Sequence, residues 1–231
     1  MRNEKGFTLV ELLATIGAGI IMLAAIYTAV TFGYRSSVAV ERKVTAVEDA
    51  RAALELMAAE IRMASYNPMF AINMWRNPVV CDAQSPNQVY RGIQTATANG
   101  IVVQMDISEN TTIGDNPNEI IQYTYDVANE RITRSTNCGP AEPFLGATAA
   151  SGNPRTVLVR NAAAGIPVFR YFNGTGTEII PAASFPARIP DIRRIDITLV
   201  VDTEFTDPNT NQRRRMIYST SVIPRNHAPV F

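Results

Sequence analysis

The sequence predicts an α+β fold: one long N-terminal helix, transmembrane and then amphipathic, packed on a C-terminal antiparallel β-sheet domain. Three observations carry this. From Phe7 to Tyr34 the only formal charge is Glu11. Beyond Tyr34 the apolar positions Val40, Val44, Val47, Leu54, Met57, Ile61 and Ala64 fall mostly at three- and four-residue intervals, the spacing of an amphipathic helix. After Asn67-Pro68 the texture becomes short alternating segments and turns. One helix followed by a run of strands gives α+β rather than alternating α/β.

The apolar run exceeds the roughly 20 residues a bilayer needs. Arg2 and Lys5 ahead of it hold that end in the cytoplasm by the positive-inside rule, which places the remainder outside. A cleaved secretory signal is one alternative, with Ser37-Val38-Ala39 as its cutting site, but such signals have apolar stretches of only about 7–15 residues. A plain signal anchor with Glu11 reaching back to the interface is the other. Glu11 demands a reason either way, because an acid at the bilayer centre costs about 2.5–3.5 kcal/mol on insertion scales. Gly17, Gly19 and Gly33 read as ordinary transmembrane glycines. In the second half Glu41, Arg42, Lys43, Glu48, Asp49, Arg51, Glu55, Glu60 and Arg62 form a solvated face, with Glu48 and Arg51 paired at i,i+3. The residue before proline leaves helical dihedrals, so the helix stops at Asn67-Pro68. Residues 7–66 as one helix would reach about 90 Å at about 1.5 Å per residue.

Beyond Pro68, Ile101–Ile107 reads as a strand, followed by a turn at Gly114-Asp115-Asn116-Pro117. Glu119–Asp126, the Ala128-Asn129-Glu130 connection and Arg131–Thr136 form a β-hairpin. Gly139–Pro154, rich in Gly, Pro, Ala and Ser, is a loop. Thr156–Arg160, Ile166–Phe172, Ile195–Phe205 and Met216–Ile223 are further strands.

Lys plus Arg and Asp plus Glu balance at 21 each, so the global charge asks for no obligate nucleic acid. Cys81 and Cys138 are the only cysteines and His227 the only histidine. Outside the cytoplasm a lone cysteine pair points to a disulfide rather than a structural zinc, which needs four ligands. One histidine supplies no His-based triad, and there is no Walker-type loop or CxxC pair, so neither an enzyme nor a cofactor or metal is expected. Asp207–Gln212 starts like a calcium loop but lacks the sixth-position glycine and has Tyr218 where the twelfth-position acid belongs; a hairpin tip is the better reading. Arg213-Arg214-Arg215 is a solvated strand start or a contact to an acidic protein face, DNA or an anionic surface. Asn110-Thr111-Thr112 and Asn173-Gly174-Thr175 match the N-glycosylation pattern, a short match that occurs by chance.

The stretch Gly6-Phe7-Thr8-Leu9-Val10-Glu11-Leu12-Leu13 resembles the N-terminus of a type IV prepilin or type II secretion pseudopilin. The resemblance implies a prepilin peptidase that cuts between Gly6 and Phe7 and methylates Phe7, leaving Glu11 as the fifth mature residue. It also implies that Glu11 pairs with the N-terminal ammonium of a neighbouring subunit, which offsets its desolvation. Many major pilins carry a proline where this helix has Thr28.

Ala53–Tyr66, with Glu60, Ile61, Arg62, Ala64 and Tyr66, and the late segment Ser219–Asn226 are similar to PilW-type minor pilins and the related J-type pseudopilins. Ser65 stands where glycine is usual in that group. The resemblance implies a leader at 1–6, an assembly helix at 7–34, its amphipathic continuation at 35–66 and an extracytoplasmic domain at 67–231. The implied partners are the peptidase, major and minor pilins, an inner-membrane assembly platform and membrane lipid. The implied location is the inner membrane, N-terminus cytoplasmic and globular part periplasmic, and then a pilus or pseudopilus at the cell surface. A binding module for calcium, glycan or DNA mounted on a pilin helix is the alternative of another class.

Overall fold

The computed structural model describes residues 6–146, 156–179, 186–207 and 210–227. The leader before Gly6, residues 147–154 of the expected 139–154 loop, and Pro208 and Asn209 of the expected hairpin tip lie outside these residues.

The chain opens with α1, Leu9–Arg62, 54 residues long and about 80 Å at about 1.5 Å per residue. The helix is continuous through Gly17, Gly19, Thr28 and Gly33. The hydroxyls of Thr15, Thr28 and Thr31 donate to carbonyls three or four residues back, so each is satisfied within the helix itself. The buried face agrees with the expected one at Leu54, Met57, Ile61 and Ala64 and departs from it nearer the membrane half. Val40 and Val44 are exposed and the packed positions are Ala46, Ala50, Ala53, Leu54, Met57, Ala58 and Ile61, because small alanines let the helix backbone approach the sheet closely.

The helix ends at Arg62 rather than Tyr66. Ser65 takes a left-handed φ of 67° and turns its N–H to Gln104 O at 2.9 Å, which draws the chain into the sheet. Glycine is the residue that adopts this conformation without cost. Gly92 passes so near that a Cβ there would lie 2.2 Å from Ser65 N and 2.3 Å from Gln104 O.

Two antiparallel sheets follow. The first is a meander, β1 (Ile93–Ala96), β2 (Gly100–Gln104), β3 (Ile120–Asp126), β4 (Arg131–Thr136) and β5 (Glu142–Leu145), in sequential order. The β3–β4 hairpin pairs Asp126 with Arg131. β1 and β5 were not expected from the sequence, because each has only four residues and too little alternation to read. The Ile101–Ile107 strand ends at Gln104. Beyond it Asp106 and Glu119, both buried, gather the N–H groups of Ser108, Asn110, Thr111, Gly114 and Asn116, so this loop is built on two satisfied carboxylates.

The second sheet contains β6 (Val157–Val159), β7 (Phe169–Phe172), β8 (Arg194–Thr203) and β9 (Arg215–Val222). β8 is central: β9 pairs along one side, while β6 and β7 share the other. A short helix α2, Asn161–Ala164, closes in a left-handed Gly165, so the expected strand from Ile166 begins only at Phe169. α1 lies against β8, β9 and β5, and one core joins its buried face to Ile101, Tyr123 and Ile132 of the first sheet and Phe169, Ile195 and Leu199 of the second. A smaller cluster of Met74, Trp75, Val102, Ile113 and Ile120 sits elsewhere.

Candidate functional site

Among the described residues the start of α1 is held by local bonds. Thr8 is the N-cap of α1, with extended backbone, and accepts the Glu11 N–H through Oγ1 at 3.3 Å. In return the Glu11 carboxylate accepts the Thr8 N–H and the Thr8 hydroxyl, each at 2.9 Å. This is a capping box. Thr8-x-x-Glu11 is a capping-box signature legible in the sequence, obscured there by the apolar run that makes Glu11 stand out as a lone charge. Glu11 is therefore hydrogen-bonded within its own subunit.

Gly6 and Phe7 precede the cap, and Phe7 is 86 % exposed. A Cβ at Gly6 would meet nothing within 4 Å, so the fold itself imposes no glycine there. Among the described residues nothing covers the apolar half of α1: an 18-residue window reaches a mean hydropathy of 2.3 and none of it is buried. That separates it from the core helix of a globular protein, whose apolar face would be covered. It is long and apolar enough to cross a membrane.

These observations converge on residues 1–27. They match the prokaryotic N-terminal methylation motif. No curated protein and no solved structure matches the chain. The methylation motif is a type IV pilin-like prepilin signal, and it supports reading the chain as the precursor of a pilin-like or pseudopilin protein. Gly6, Phe7 and Glu11 all fall inside the matched segment, at the start of the exposed helix.

The globular part grips the far end of this helix through polar contacts. Glu60, expected on a solvated face, instead receives Arg134 through two nitrogens, at 3.2 and 2.6 Å, and the Tyr123 hydroxyl. Burial first, and then the Glu60 carboxylate, push the Tyr123 phenol up, so it stays a donor. Arg51 does not bridge Glu48; its guanidinium lies 5.8 Å from the Tyr218 ring. Asp49 accepts the Thr156 hydroxyl at 2.5 Å.

A buried triplet lies just past the helix end. His227 Nε2 faces Ile189 O at 2.9 Å and Nδ1 faces Ser65 Oγ at 2.8 Å. A carbonyl only accepts, so Nε2 carries the proton and Nδ1 accepts from Ser65; Ser65 Oγ in turn accepts the Gly92 N–H at 3.0 Å. Burial, reinforced by Arg193 and Arg91, lowers the His227 pKa to about 4 against the opposing Ile189 bond. The imidazole is therefore neutral. It fastens the C-terminal 3-10 turn Arg225–His227 to the helix end and to the 3-10 turn Pro186–Asp191.

Cys81 and Cys138 form a disulfide, Cα to Cα 6.0 Å, across 57 residues. It ties the segment after α1 to the end of β4. The arginine cluster is engaged in place: Arg213 donates to Glu204 O, Arg214 meets Asp207 at 3.3 Å, and Arg215 pairs with Asp202 through two bonds of 2.9 and 3.0 Å. Among the described residues no group of three or more His, Cys, Asp and Glu side chains is placed to hold a metal ion.

Proposed function

We propose that the protein is a minor type IV pilin of PilW type, a structural subunit that primes, caps or tunes a filament. The observation that carries this is the methylation motif at the head of a long helix whose apolar half its own globular domain leaves uncovered. A membrane and then neighbouring helices are the surfaces that would cover it. A prepilin peptidase cuts between Gly6 and Phe7 and methylates the new terminus. The Thr8–Glu11 capping box holds the carboxylate in the membrane-bound subunit, where an orphaned charge is most costly. On assembly a neighbour's N-terminal ammonium takes up the carboxylate, a stronger charge-assisted bond than the hydroxyl supplies.

Replacement of Gly6 tests this directly. The fold leaves open space at Gly6, so Gly6→Trp disturbs nothing in the subunit, yet the precursor should remain uncut in the membrane and absent from filaments. Normal cutting and assembly of Gly6→Trp would refute the reading. Deletion of the protein should remove surface pili and spare protein export; the reverse would assign it to a secretion pseudopilus.

A further inference from the structure

Each sheet in this fold has edges, and all but one are blunted. β1 and β5 have four residues each and pair with register irregularities, β5 carries Pro143, and β1 lies against the Pro186–Asp191 turn. β7 is covered by the returning segment, with Ile179 N bonded to Tyr171 O and a bridge from Phe172 to Glu178. β6 has three residues. Such shortening, bulging and covering are how proteins prevent strand addition. β9 has none of them: it runs eight residues without proline and pairs with β8 in unbroken register.

The direction of its free groups follows from β8. Thr198 N and Val200 N bond away from β9, to Val168 O and Asn161 Oδ1, whereas Thr203 N bonds to Arg214 O on the β9 side. Odd-numbered β8 residues therefore pair with β9. In the observed register these face Met216, Tyr218, Thr220 and Val222, which leaves the N–H and C=O groups of Arg215, Ile217, Ser219 and Ser221 pointing outward. Among the described residues nothing bonds to them. All four residues are exposed, along an edge of about 26 Å at about 3.3 Å per residue.

Beside this edge runs an open groove of about 540 Å³, lined by Arg51, Glu55 and Arg62 of α1 and by Tyr218, Ser219 and Thr220 of β9. Its charged lining is two arginines against one acid. We propose that the outer edge of β9 accepts an extended strand of another protein chain, one carrying acidic side chains that lie over Arg51 and Arg62. Backbone bonds supply affinity and the flanking charges choose the segment. β9 runs beside α1 in the same direction, since Arg42 stacks on Phe205 before β9 and Arg62 lines the groove at Ser219 and Thr220. A two-fold β9 pair of two copies would thus point their apolar helices oppositely. That exclusion of a second copy rests on the membrane-anchor reading, which the N-terminal mass of the same sample checks separately.

The test places a photo-cross-linking residue at 217, 219 or 221 of the full chain in the cells that make it, and maps each adduct by mass. Strand addition predicts adducts that step by two residues along one acidic segment of one other protein. Ser219→Pro removes an outward N–H that β8 does not use and should lower the position-217 adduct at least ten-fold, while Ser219→Ala leaves it unchanged. If Ser219→Pro fails to fold, Ser219→Glu sets a like charge against the acidic segment and should lower the position-217 adduct in its place. No adduct, adducts scattered over unrelated segments, adducts to β9 of a second copy, or insensitivity to the edge-blocking substitution would overturn the proposal.

Discussion

Glu11 is seen in one state, and the proposed function gives it a second. Bonded to Thr8 it closes the helix N-terminus; in the proposed filament the same carboxylate would pass to a neighbour's terminal ammonium. Glu11→Ala makes the segment more apolar, so insertion and cutting should continue while incorporation into filaments falls several-fold, measured as the filament-to-membrane ratio. Glu11→Asp retains the charge and should be milder. Normal incorporation of Glu11→Ala would remove the pairing role. His227 gives a second residue-scale expectation. Its folded pKa of about 4 lies below the unfolded value of about 6.5, so the unfolded chain binds the extra proton between them. Stability contributed by the neutral imidazole is complete above about pH 6.5 and falls as pH drops toward 4, by about 3 kcal/mol at most. Denaturant titration of the full chain in micelles should show that slope, and His227→Gln should flatten it at a cost in stability at neutral pH.

At the scale of elements, the fold turns on how the end of α1 enters the first sheet. Gly92→Ala would drive a Cβ into the backbone of Ser65 and Gln104, neither of which can swing aside, and should destabilise by about 3 kcal/mol; a thermal midpoint equal to wild type would show that the approach is looser than described. Glu60→Ala leaves Arg134 and Tyr123 without their shared acceptor and should cost about 2 kcal/mol, reduced from the fully buried case because both charges keep partial access to water. The helix, the β3–β4 hairpin and the long strands β8 and β9 were legible because their periods persist over many residues. β1, β5 and α2 were not, being four residues each. The helix stop was misplaced because Ser65, not Pro68, makes the turn, and Glu60 looked solvated because its partners Arg134 and Tyr123 are more than sixty residues away.

For the whole molecule, the chain divides its work between a helix whose apolar half is uncovered and a two-sheet domain that holds the other half. Cys81–Cys138 spans 57 residues, a loop whose closure contributes about 4 kcal/mol in the chain-entropy view. Cys81→Ser should lower stability by up to that amount while cutting at Gly6 proceeds, because the two sites share no contact. The N-terminal motif was legible because it lies in one short run around Gly6, Phe7 and Glu11, whereas the Ser65–His227 bond and the open edge of β9 emerge only once distant segments are brought together. The central claim is that this is a processed, helix-mounted subunit. The intact mass and terminal sequence of the protein isolated from its own cells test it most directly: the account predicts a chain that begins at N-methylated Phe7, and a chain that begins at Met1 or near Val40 would contradict it.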